Sequence, residues 1–468
     1  MFHRLFRKSN GFLKEWFHSS HRKPLVIRGA RQVGKTTIVR AFAEDHDLTL
    51  CEINLEKHMA LDKVFRSYDI GKINREIEAI TGVNPEKKGH LLFLDEIQAT
   101  PHALAALRYY YEEQPELPVV ATGSLLEFTL SKANFSMPVG RVIYYHLFPL
   151  SFREFLQAVS PHLLKYLDQI SWETEIPQSA HLKLLEKQRE YLFVGGMPEA
   201  VSVYRESGSI IEVTEVHRSI IDTYRDDFHK YAMQKDLVRL QRVFSQIPHR
   251  LTLKAKYSHY DPEARAHEVK HAIDLLIKAR VCYPVVRSHC NGLPLSAEAD
   301  EKSFKLLFLD VGLASHVLGL TWNSIQELTE TELVNEGGLA EQFIGQHLLN
   351  LSEGKQTPAL HYWLREGKAN NAEVDYVITQ GGKIYPVEVK AGKSGSLKSL
   401  HQYLLQKGSR VAFRFDLNQA SRQEREQSIR VSGTQNKTAK VAYSLISLPL
   451  YAVEEFNRIT AQTSRREG

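Results

Sequence analysis

A chain of 468 residues is too long for one ordinary hydrophobic core, so we expect two to four domains. Hydrophobic residues make up 43% of the chain and charged residues 25%, which is typical of a soluble globular protein. No apolar run is long enough to cross a bilayer, so we expect no membrane partner. The net charge of +5 permits contact with nucleic acid but is too small to require it.

The chain contains three cysteines, Cys51, Cys282 and Cys290. Their spacing fits no zinc-binding pattern, and an odd number argues against a disulfide framework. We therefore expect a reducing, cytoplasmic setting.

From about residue 24 to 150, short apolar segments alternate with helical patterns, which favours an α/β fold built on a parallel sheet. The predicted strands cover residues 25–27, 48–54, 90–94, 117–122 and 142–147.

The segment 29–36, GARQVGKT, fits the pattern G-x-x-x-x-G-K-[ST]. It lies between a predicted strand and a predicted helix, where backbone N–H groups and a helix N-terminus can surround phosphate oxygens. Lys35 would reach the β- and γ-phosphates, and the Thr36 hydroxyl would bind Mg²⁺. A chance glycine-rich turn is the alternative. The residues expected to bind ATP are Gly29, Ala30, Arg31, Gln32, Val33, Gly34, Lys35, Thr36 and Thr37.

Two acids follow the predicted strand 90–94. Asp95 would bind Mg²⁺ directly or through water, and Glu96 would polarise the attacking water as a general base. A solvated loop would also explain two acids, but their place after a P-loop favours catalysis. A strand and helices lie between the two motifs, which favours the additional-strand class of P-loop ATPases over GTPases.

Other residues are candidates for contact with the γ-phosphate. Thr122 and Ser124 end the next strand, where a hydroxyl could reach the phosphate or the water. Arg141 precedes the fifth strand and could act as an arginine finger or sensor, because developing phosphoryl charge needs a cation. A strand-end turn and a surface salt bridge are the alternatives. Arg31 could contact the nucleotide or a neighbouring element.

The middle of the chain changes character twice. From residue 161 to 235 the pattern is helical, and Gly195–Pro198 interrupts it, since two glycines and a proline cannot continue a helix. Residues 236–330 combine short helices with predicted strands at 281–286 and 304–309.

Residues 331–460 form a further α/β-like region, with a predicted helix at 338–349 and predicted strands at 374–378 and 384–389. Beyond these elements, the polar segment 418–440 predicts a mobile connection, and residues 463–468 predict a loose tail.

A carboxylate–lysine pattern lies on the last two predicted strands. Asp375 is on the first strand, and Glu388 and Lys390, two residues apart, project to one face of the second. Such a set could hold Mg²⁺ and orient a water for phosphodiester cleavage. The order Asp, then Glu-x-Lys, resembles the PD-(D/E)xK nuclease signature, although Val374 stands where that signature has its proline. A surface charge pair between two strands is the alternative.

Six motifs lie along the first half of the chain: GARQVGKT at 29–36, LDEIQ at 94–98, TGS at 122–124, GR at 140–141, PLSFREF at 149–155 and GGMPE at 195–199. Together they resemble a family of prokaryotic AAA+-like ATPases, in which a C-terminal domain long labelled as of unknown function follows the ATPase module. The resemblance extends over nearly the whole chain.

The resemblance implies a division into four domains. They are an AAA+-type P-loop ATPase domain at 1–160, a helical lid at 161–235, a winged-helix-like domain at 236–330 and a restriction-endonuclease-like domain at 331–460. It also supports Glu341, on the helix 338–349, as a further metal ligand. Gln402, on the helix after Lys390, could play a supporting role.

Basic side chains are frequent between residues 239 and 287. Helices with basic faces followed by a strand pair would suit a winged helix that presents cations to phosphates, and the resemblance favours DNA as the partner. Acids among them make a solvated charged face the alternative. The cations are Arg242, Arg250, Lys254, Lys256, Arg265, Lys270, Lys278, Arg280 and Arg287.

Two functions therefore compete. In the first, ATP hydrolysis drives or gates a Mg²⁺-dependent nuclease that acts in DNA processing, repair or defence. In the second, the nucleotide state switches DNA or protein binding, and the nuclease fold is inactive. The intact set of acids and lysine favours the first, and the absent proline slightly favours the second. A neighbouring subunit's arginine often completes AAA+-type sites, so a homo-oligomer is also expected.

Overall fold

The computed structural model describes residues 4–128, 140–322, 337–366, 371–390, 397–430 and 438–467. The strands are β1 Leu25–Arg28, β2 Thr49–Asn54, β3 His90–Asp95, β4 Val119–Gly123, β5 Ile143–His146, β6 Cys282–Ser288, β7 Ala299–Phe308, β8 Leu360–Arg365, β9 Ala372–Gln380, β10 Lys383–Val389, β11 Val411–Asp416, β12 Ser421–Arg430 and β13 Thr438–Pro449.

The helices, in the same numbering by chain order, are α1 Ser9–Phe17, α2 Lys35–Asp45, α3 Asp62–Phe65, α4 Ile70–Thr81, α5 Pro101–Glu113, α6 Phe152–Val159, α7 Leu164–Asp168, α8 Gln178–Val194, α9 Pro198–Ser207, α10 Ile210–Asp227, α11 Gln234–Gln246, α12 Tyr257–Tyr260, α13 Ala266–Lys278, α14 Val311–Val317, α15 Gly337–Leu349, α16 Lys398–Lys407 and α17 Phe456–Glu467. Within these described ranges, no helix combines the length and the apolarity that crossing a bilayer requires.

The first five strands form one parallel sheet, sheet A, in the order β2-β3-β4-β1-β5. Side chains alternate between its two faces, because successive residues of a strand point in opposite directions. Leu25 and Ile27 therefore pack in the core that contains α1 and α2, while Val26 packs in the core that contains α4 and α5. The predicted α/β fold with a parallel sheet is confirmed, and β4 is inserted between β1 and β3.

Helices alone follow sheet A until β6 begins at Cys282. Helix α8 ends at Gly195, whose φ of 70° is left-handed and so suits glycine. The next residue, Gly196, lies against the end of the first region: its carbonyl accepts from the Leu150 N–H at 2.6 Å. The Tyr191 hydroxyl donates to the Leu150 carbonyl at 2.5 Å. The predicted interruption at Gly195–Pro198 is thus a packed junction between helices.

The remaining strands form a second sheet, sheet B, in the order β12-β13-β11-β10-β9-β8-β6-β7. Helices α11–α13 followed by the antiparallel hairpin β6–β7 have the order expected of a winged-helix-like segment. That hairpin nevertheless belongs to sheet B, because β6 pairs in parallel with β8 from Val285–Leu360 to Arg287–Tyr362. Sheet B therefore crosses the domain boundary predicted at residue 330. Pairing between distant strands leaves no local trace in the sequence.

Within sheet B, α15 leads into the antiparallel strands β8, β9 and β10, and α16 then leads to β11, which is parallel to β10. Two sequence-based expectations are wrong at the end of the chain. Residues 421–430 form edge strand β12, paired with β13, instead of a mobile connection, and their polarity reflects the exposed edge. Helix α17 continues to Glu467 instead of fraying at residue 463, because Ile459 and Thr463 are buried.

Replacing Gly196 by alanine should destabilise the whole fold. The added Cβ would lie 2.1 Å from the Leu150 carbonyl oxygen and 2.9 Å from the Tyr191 hydroxyl, so the packed backbone would have to move. We expect a loss of roughly 2–4 kcal/mol of stability, seen as a lower Tm. Gly11→Ala is the matched control, since a Cβ there meets nothing within 4 Å. An unchanged Tm for Gly196→Ala would contradict the close approach.

Candidate functional site

The P-loop connects β1 to α2 and is held by close contacts. A Cβ at Gly29 would lie 2.4 Å from the Leu147 carbonyl oxygen, so only glycine fits there. Gln32 and Gly34 have φ values of 62° and 92°, which turn the chain into the helix. Lys35 is buried, and its ammonium donates to the Ala30 carbonyl at 2.6 Å. Burial lowers the pKa of Lys35 to about 8.

Asp95 is the centre of a polar cluster at the carboxyl ends of three parallel strands. The Thr36 hydroxyl lies 3.2 Å from each Asp95 carboxylate oxygen. From the neighbouring strand, the Thr122 hydroxyl donates to the same carboxylate. Burial raises the pKa of Asp95. Hydroxyl and carboxylate oxygens are the ligands that Mg²⁺ prefers, so Thr36 and Asp95 fit that ion.

Glu96 takes an unusual backbone conformation beside this cluster. Its φ is 52°, a left-handed value that non-glycine residues rarely adopt, and it turns the chain directly after β3. The Glu96 carboxylate accepts from the Gln98 amide, and the Ser124 hydroxyl donates to it at 3.4 Å. The two hydroxyl candidates are therefore divided: Thr122 contacts Asp95, whereas Ser124 contacts Glu96.

A cavity of about 700 Å³ opens beside the P-loop. Lys35, Thr36, Thr37 and Glu96 line one side of it. The remaining walls come from parts of the chain that the sequence did not connect with nucleotide binding, namely the N-terminal segment and helices α9 and α10. These contributors include Arg4, Leu5, Asn10, Pro198, Glu199, Ser202 and Thr223. Among these wall residues, Pro198 and Glu199 belong to the GGMPE motif at 195–199.

Two arginines, one of them within the P-loop, connect the loop to neighbouring parts of the chain. Arg31 forms an ion pair with Asp227 of α10, and its carbonyl accepts from the Tyr224 hydroxyl at 2.7 Å. Arg31 thus contacts a neighbouring element and also lines the cavity, so its contact with a nucleotide stays a prediction. Arg7 is buried and donates to the Val33 carbonyl at 3.2 Å. No sequence motif pointed to Arg7.

Arg141 does not meet the other candidates. It precedes β5, whose first residue, Ile143, pairs with Leu25 at the start of β1, while the P-loop follows the end of β1. The Arg141 side chain is 44% exposed and pairs with Glu112 at 3.0 Å. Sheet polarity places Arg141 at the opposite end of the strands from the P-loop of its own chain, and its role as an arginine finger or sensor stays a prediction.

The junction at Gly196 is held by a buried carboxylate. Asp310 follows β7 and is 0% exposed. It accepts from the Gly196 N–H at 2.7 Å and from the Gly312 N–H at 3.0 Å. The amide of Gln346, on α15, lies 3.3 Å from the same carboxylate. Burial raises the pKa of Asp310 to about 6, despite these donors.

A second polar site, which we name the carboxylate cluster, lies where α15 meets sheet B. Helix α15 is fixed there because the Gln342 side chain bonds both backbone groups of Phe308, at 2.8 and 2.9 Å. The members of the carboxylate cluster are Glu341, Glu373, Asp375, Glu388, Lys305 and Lys390.

Lysines contact the acids of the carboxylate cluster. Lys390 pairs with Glu388 at 2.6 Å, and the Val389 N–H donates to Asp375 at 2.7 Å. These contacts bring together the three residues predicted from the Asp and Glu-x-Lys pattern. Burial and the neighbouring Asp375 carboxylate raise the pKa of Glu388 to about 8.

Glu341 does join the carboxylate cluster, as the resemblance implied. Its carboxylate lies 3.8 Å from the ammonium of Lys305, which also forms an ion pair with Glu373. Burial and Asp375 raise the pKa of Glu341. In the parts of the chain that the structure describes, no three Asp, Glu, His or Cys side chains are arranged to hold a metal ion. A metal site at Glu341, Asp375 and Glu388 stays a prediction from the sequence.

Gln402, which could play a supporting role, contacts an arginine of sheet B. Its amide oxygen accepts from Arg365 of β8 at 2.9 Å. This bond ties helix α16 to the sheet, so Gln402 has a structural contact outside the carboxylate cluster.

Several cations predicted to face DNA are neutralised by acids. Arg242 pairs with Asp261 at 2.6 Å, and Arg280 pairs with Glu127 at 2.7 Å. Lys254 also forms an ion pair, with Glu366. These contacts favour the solvated charged face for this part of the surface, because a paired cation is less available to a phosphate.

Comparison with family models agrees with the N-terminal half of this picture. Residues 21–156 match a family described as "AAA domain". Residues 185–324 match a "Domain of unknown function (DUF8612)", and residues 336–435 match a "Domain of unknown function (DUF4143)". The first region is therefore a P-loop domain of the AAA type, as the sequence predicted. No curated protein matches the chain.

Three solved structures align with the chain at low similarity. The Aeropyrum pernix ORC1 protein, solved in complex with DNA, has 10% identity and a TM-score of 0.26, with 67% of this chain and 91% of that chain covered. AMPPCP-bound DnaA from Aquifex aeolicus has 12% identity and a TM-score of 0.26, with coverages of 59% and 90%. C. elegans PCH-2 has 15% identity and a TM-score of 0.25, with 43% of this chain and 59% of that chain covered. Such low scores bear on neither fold nor function.

The raised pKa of Asp310 predicts a pH-dependent stability. Between the ordinary carboxyl pKa near 4 and the folded value of about 6, the folded chain holds a proton that the unfolded chain has lost. The stabilisation that comes from protonated Asp310 is complete below about pH 4. It is lost as the pH rises through 6, which lowers the free energy of unfolding by about 3 kcal/mol. Denaturant titrations at pH 4 and pH 7 measure it.

Asp310→Asn should reduce this pH dependence, because an amide does not titrate in that range. The matched control is Asp226→Asn, since Asp226 is exposed. If Asp310→Asn and the parent chain change stability equally between the two pH values, the assigned pKa is refuted.

Proposed function

We propose that the chain binds ATP in the cavity beside the P-loop and hydrolyses it. The observation that carries this proposal is the convergence of Lys35, Thr36 and Glu96 on one cavity of about 700 Å³, with the Asp95 carboxylate 3.2 Å from the Thr36 hydroxyl. A simple phosphate-binding loop would need neither acid. The two carboxylates at the end of β3 are what a hydrolytic site requires.

Each residue has a distinct proposed role. Lys35 would leave the loop carbonyls and pair with the β- and γ-phosphates. Thr36 and Asp95 would hold Mg²⁺, which when bound neutralises phosphate charge. Glu96 would accept a proton from the attacking water, and its contacts to Gln98 and Ser124 fix the carboxylate beforehand. Thr122 would act through Asp95, as a positioning residue.

Substitutions in the P-loop site should separate binding from hydrolysis. Lys35→Ala should abolish ATP turnover, because the phosphates lose their cation. Glu96→Gln should retain ATP binding but slow hydrolysis by about 10²–10⁴-fold, since it lacks a general base. Phosphate release and the binding of a fluorescent ATP analogue provide the two measurements. Glu113→Gln, on the exposed end of α5, is the control. Unchanged hydrolysis in Lys35→Ala would refute the assignment.

For the C-terminal region we propose a nuclease-like fold that binds without cleaving. The order α15, β8, β9, β10, α16, β11, with its antiparallel strands followed by one parallel strand, supports the restriction-endonuclease-like fold. The engagement of its acids with Lys305 and Lys390 supports the inactive alternative. DNA remains the proposed partner on the basis of the family resemblance, while the ion pairs of Arg242, Lys254 and Arg280 favour the alternative of a solvated charged face. The domain division at residues 160, 235 and 330 also remains a proposal.

A nuclease assay distinguishes the two hypotheses for the C-terminal region. The parent chain is incubated with single-stranded, duplex and branched DNA, with Mg²⁺ or Mn²⁺ and with or without ATP. We expect no metal-dependent cleavage above the level of Asp375→Ala, because the acids pair with lysines. Cleavage by the parent that Asp375→Ala loses would establish the active nuclease instead.

A homo-oligomer also remains a proposal. Arg141 lies at the opposite end of the sheet A strands from the P-loop of its own chain. Any contact between Arg141 and a γ-phosphate would therefore be made with the nucleotide of a second copy.

A further inference from the structure

Lys305 is a buried lysine that the pattern of sequence motifs did not single out. It lies on β7, outside the segment from α15 to β11, and its side chain is 3% exposed. Its ammonium forms an ion pair with Glu373 and lies 3.8 Å from Glu341. It also lies 5.1 Å from the centre of the Tyr362 ring.

The surroundings of Lys305 are built to hold a cation. A buried ammonium is costly unless opposite charges and oriented groups compensate for the lost water. Two carboxylates supply the charge, and the aromatic face adds an electrostatic attraction. The Tyr362 hydroxyl, 2.9 Å from the Ser303 hydroxyl, fixes the ring under the ammonium. Lys305 is thus held from three sides.

Of the predicted metal ligands Glu341, Asp375 and Glu388, Glu341 has its carboxylate 3.8 Å from the Lys305 ammonium. Mg²⁺ and Mn²⁺ bind oxygen ligands at short, defined distances, whereas an ammonium occupies the same oxygens with N–H donors. Glu341 was the ligand implied from the helix side, and its carboxylate faces Lys305. The hairpin β6–β7 supplies this lysine because β6 pairs with β8, which places β7 beside α15.

We infer that Lys305 is the resident cation of the carboxylate cluster and that its ammonium excludes a divalent metal ion from it. This inference deepens the proposal that the C-terminal region does not cleave DNA. It does not depend on ATP hydrolysis, which takes place at other residues. The C-terminal region binds no divalent metal ion while Lys305 stays in place.

The test is a Mn²⁺ titration of the full chain without nucleotide, followed by the electron paramagnetic resonance signal of free Mn²⁺. Every variant carries Asp95→Asn, which removes the carboxylate ligand of the proposed Mg²⁺ site beside the P-loop. The background chain should bind no Mn²⁺ below millimolar concentration. Adding Lys305→Met should create one site per chain, with at least a tenfold lower Kd, and adding Asp375→Asn to that variant should remove it.

Lys302→Met is the matched control, because Lys302 is an exposed lysine on the same strand. It should bind no more Mn²⁺ than the background chain. Since removing a buried charge could also unfold the chain, Lys305→Met with Glu373→Gln removes both members of the ion pair. That double variant should also gain the Mn²⁺ site, and its Tm should rise when Mn²⁺ is added.

Two results would overturn the inference. If the background chain already binds Mn²⁺ and loses it on Asp375→Asn, Lys305 does not exclude the metal ion. If folded Lys305→Met and the double variant both bind no Mn²⁺, the carboxylate cluster is no metal site and Lys305 excludes nothing. Failure of the ATPase proposal would show separately, as unchanged hydrolysis in Lys35→Ala, and failure of the non-cleaving proposal as DNA cleavage by the parent chain.

Discussion

The contact between the Asp310 carboxylate and the Gly196 N–H joins the three parts of the chain. Asp310 ends the hairpin of sheet B, Gly196 leads into the helix that lines the nucleotide cavity, and the Gly196 carbonyl accepts from Leu150 at the end of the ATPase region. A side chain at Gly195 would collide with the carboxylate, since a Cβ there lies 2.0 Å from its oxygen. The cavity wall formed by α9 therefore cannot move without disturbing sheet B.

Sheet polarity explains most of the arrangement of the proposed ATP site. Parallel strands end at the same edge, so residues that are distant in sequence, such as Lys35, Asp95 and Thr122, meet there. The same rule separates Arg141 from them, because it stands at the start of its strand. From residue type alone, Arg141 and the residues at the opposite edge were all predicted to act on phosphate groups. The end of the strand on which each residue sits decides which of them can act within one chain.

The carboxylate cluster illustrates how a shared fold can carry different chemistry. Its acids lie on the elements expected from the sequence, but a lysine from outside those elements faces them. Burial makes the balance of charge important, since unpaired carboxylates are costly away from water. Burial favours the protonated form of Glu341 and Glu388, whose pKa values are raised, and the chain itself supplies the cations Lys305 and Lys390.

The sequence alone determined the P-loop, the acids after β3, the parallel strands of sheet A and the strand pair that carries Asp375 and Glu388, because each depends on spacing within one short segment. Tertiary structure alone decided the pairing of β6 with β8, the positions of Arg7 and Lys305, and the partner of Asp310. These features join residues that lie between 26 and 114 positions apart in the chain. No local pattern of polarity or helix periodicity encodes such contacts, since they arise from the packing of whole elements.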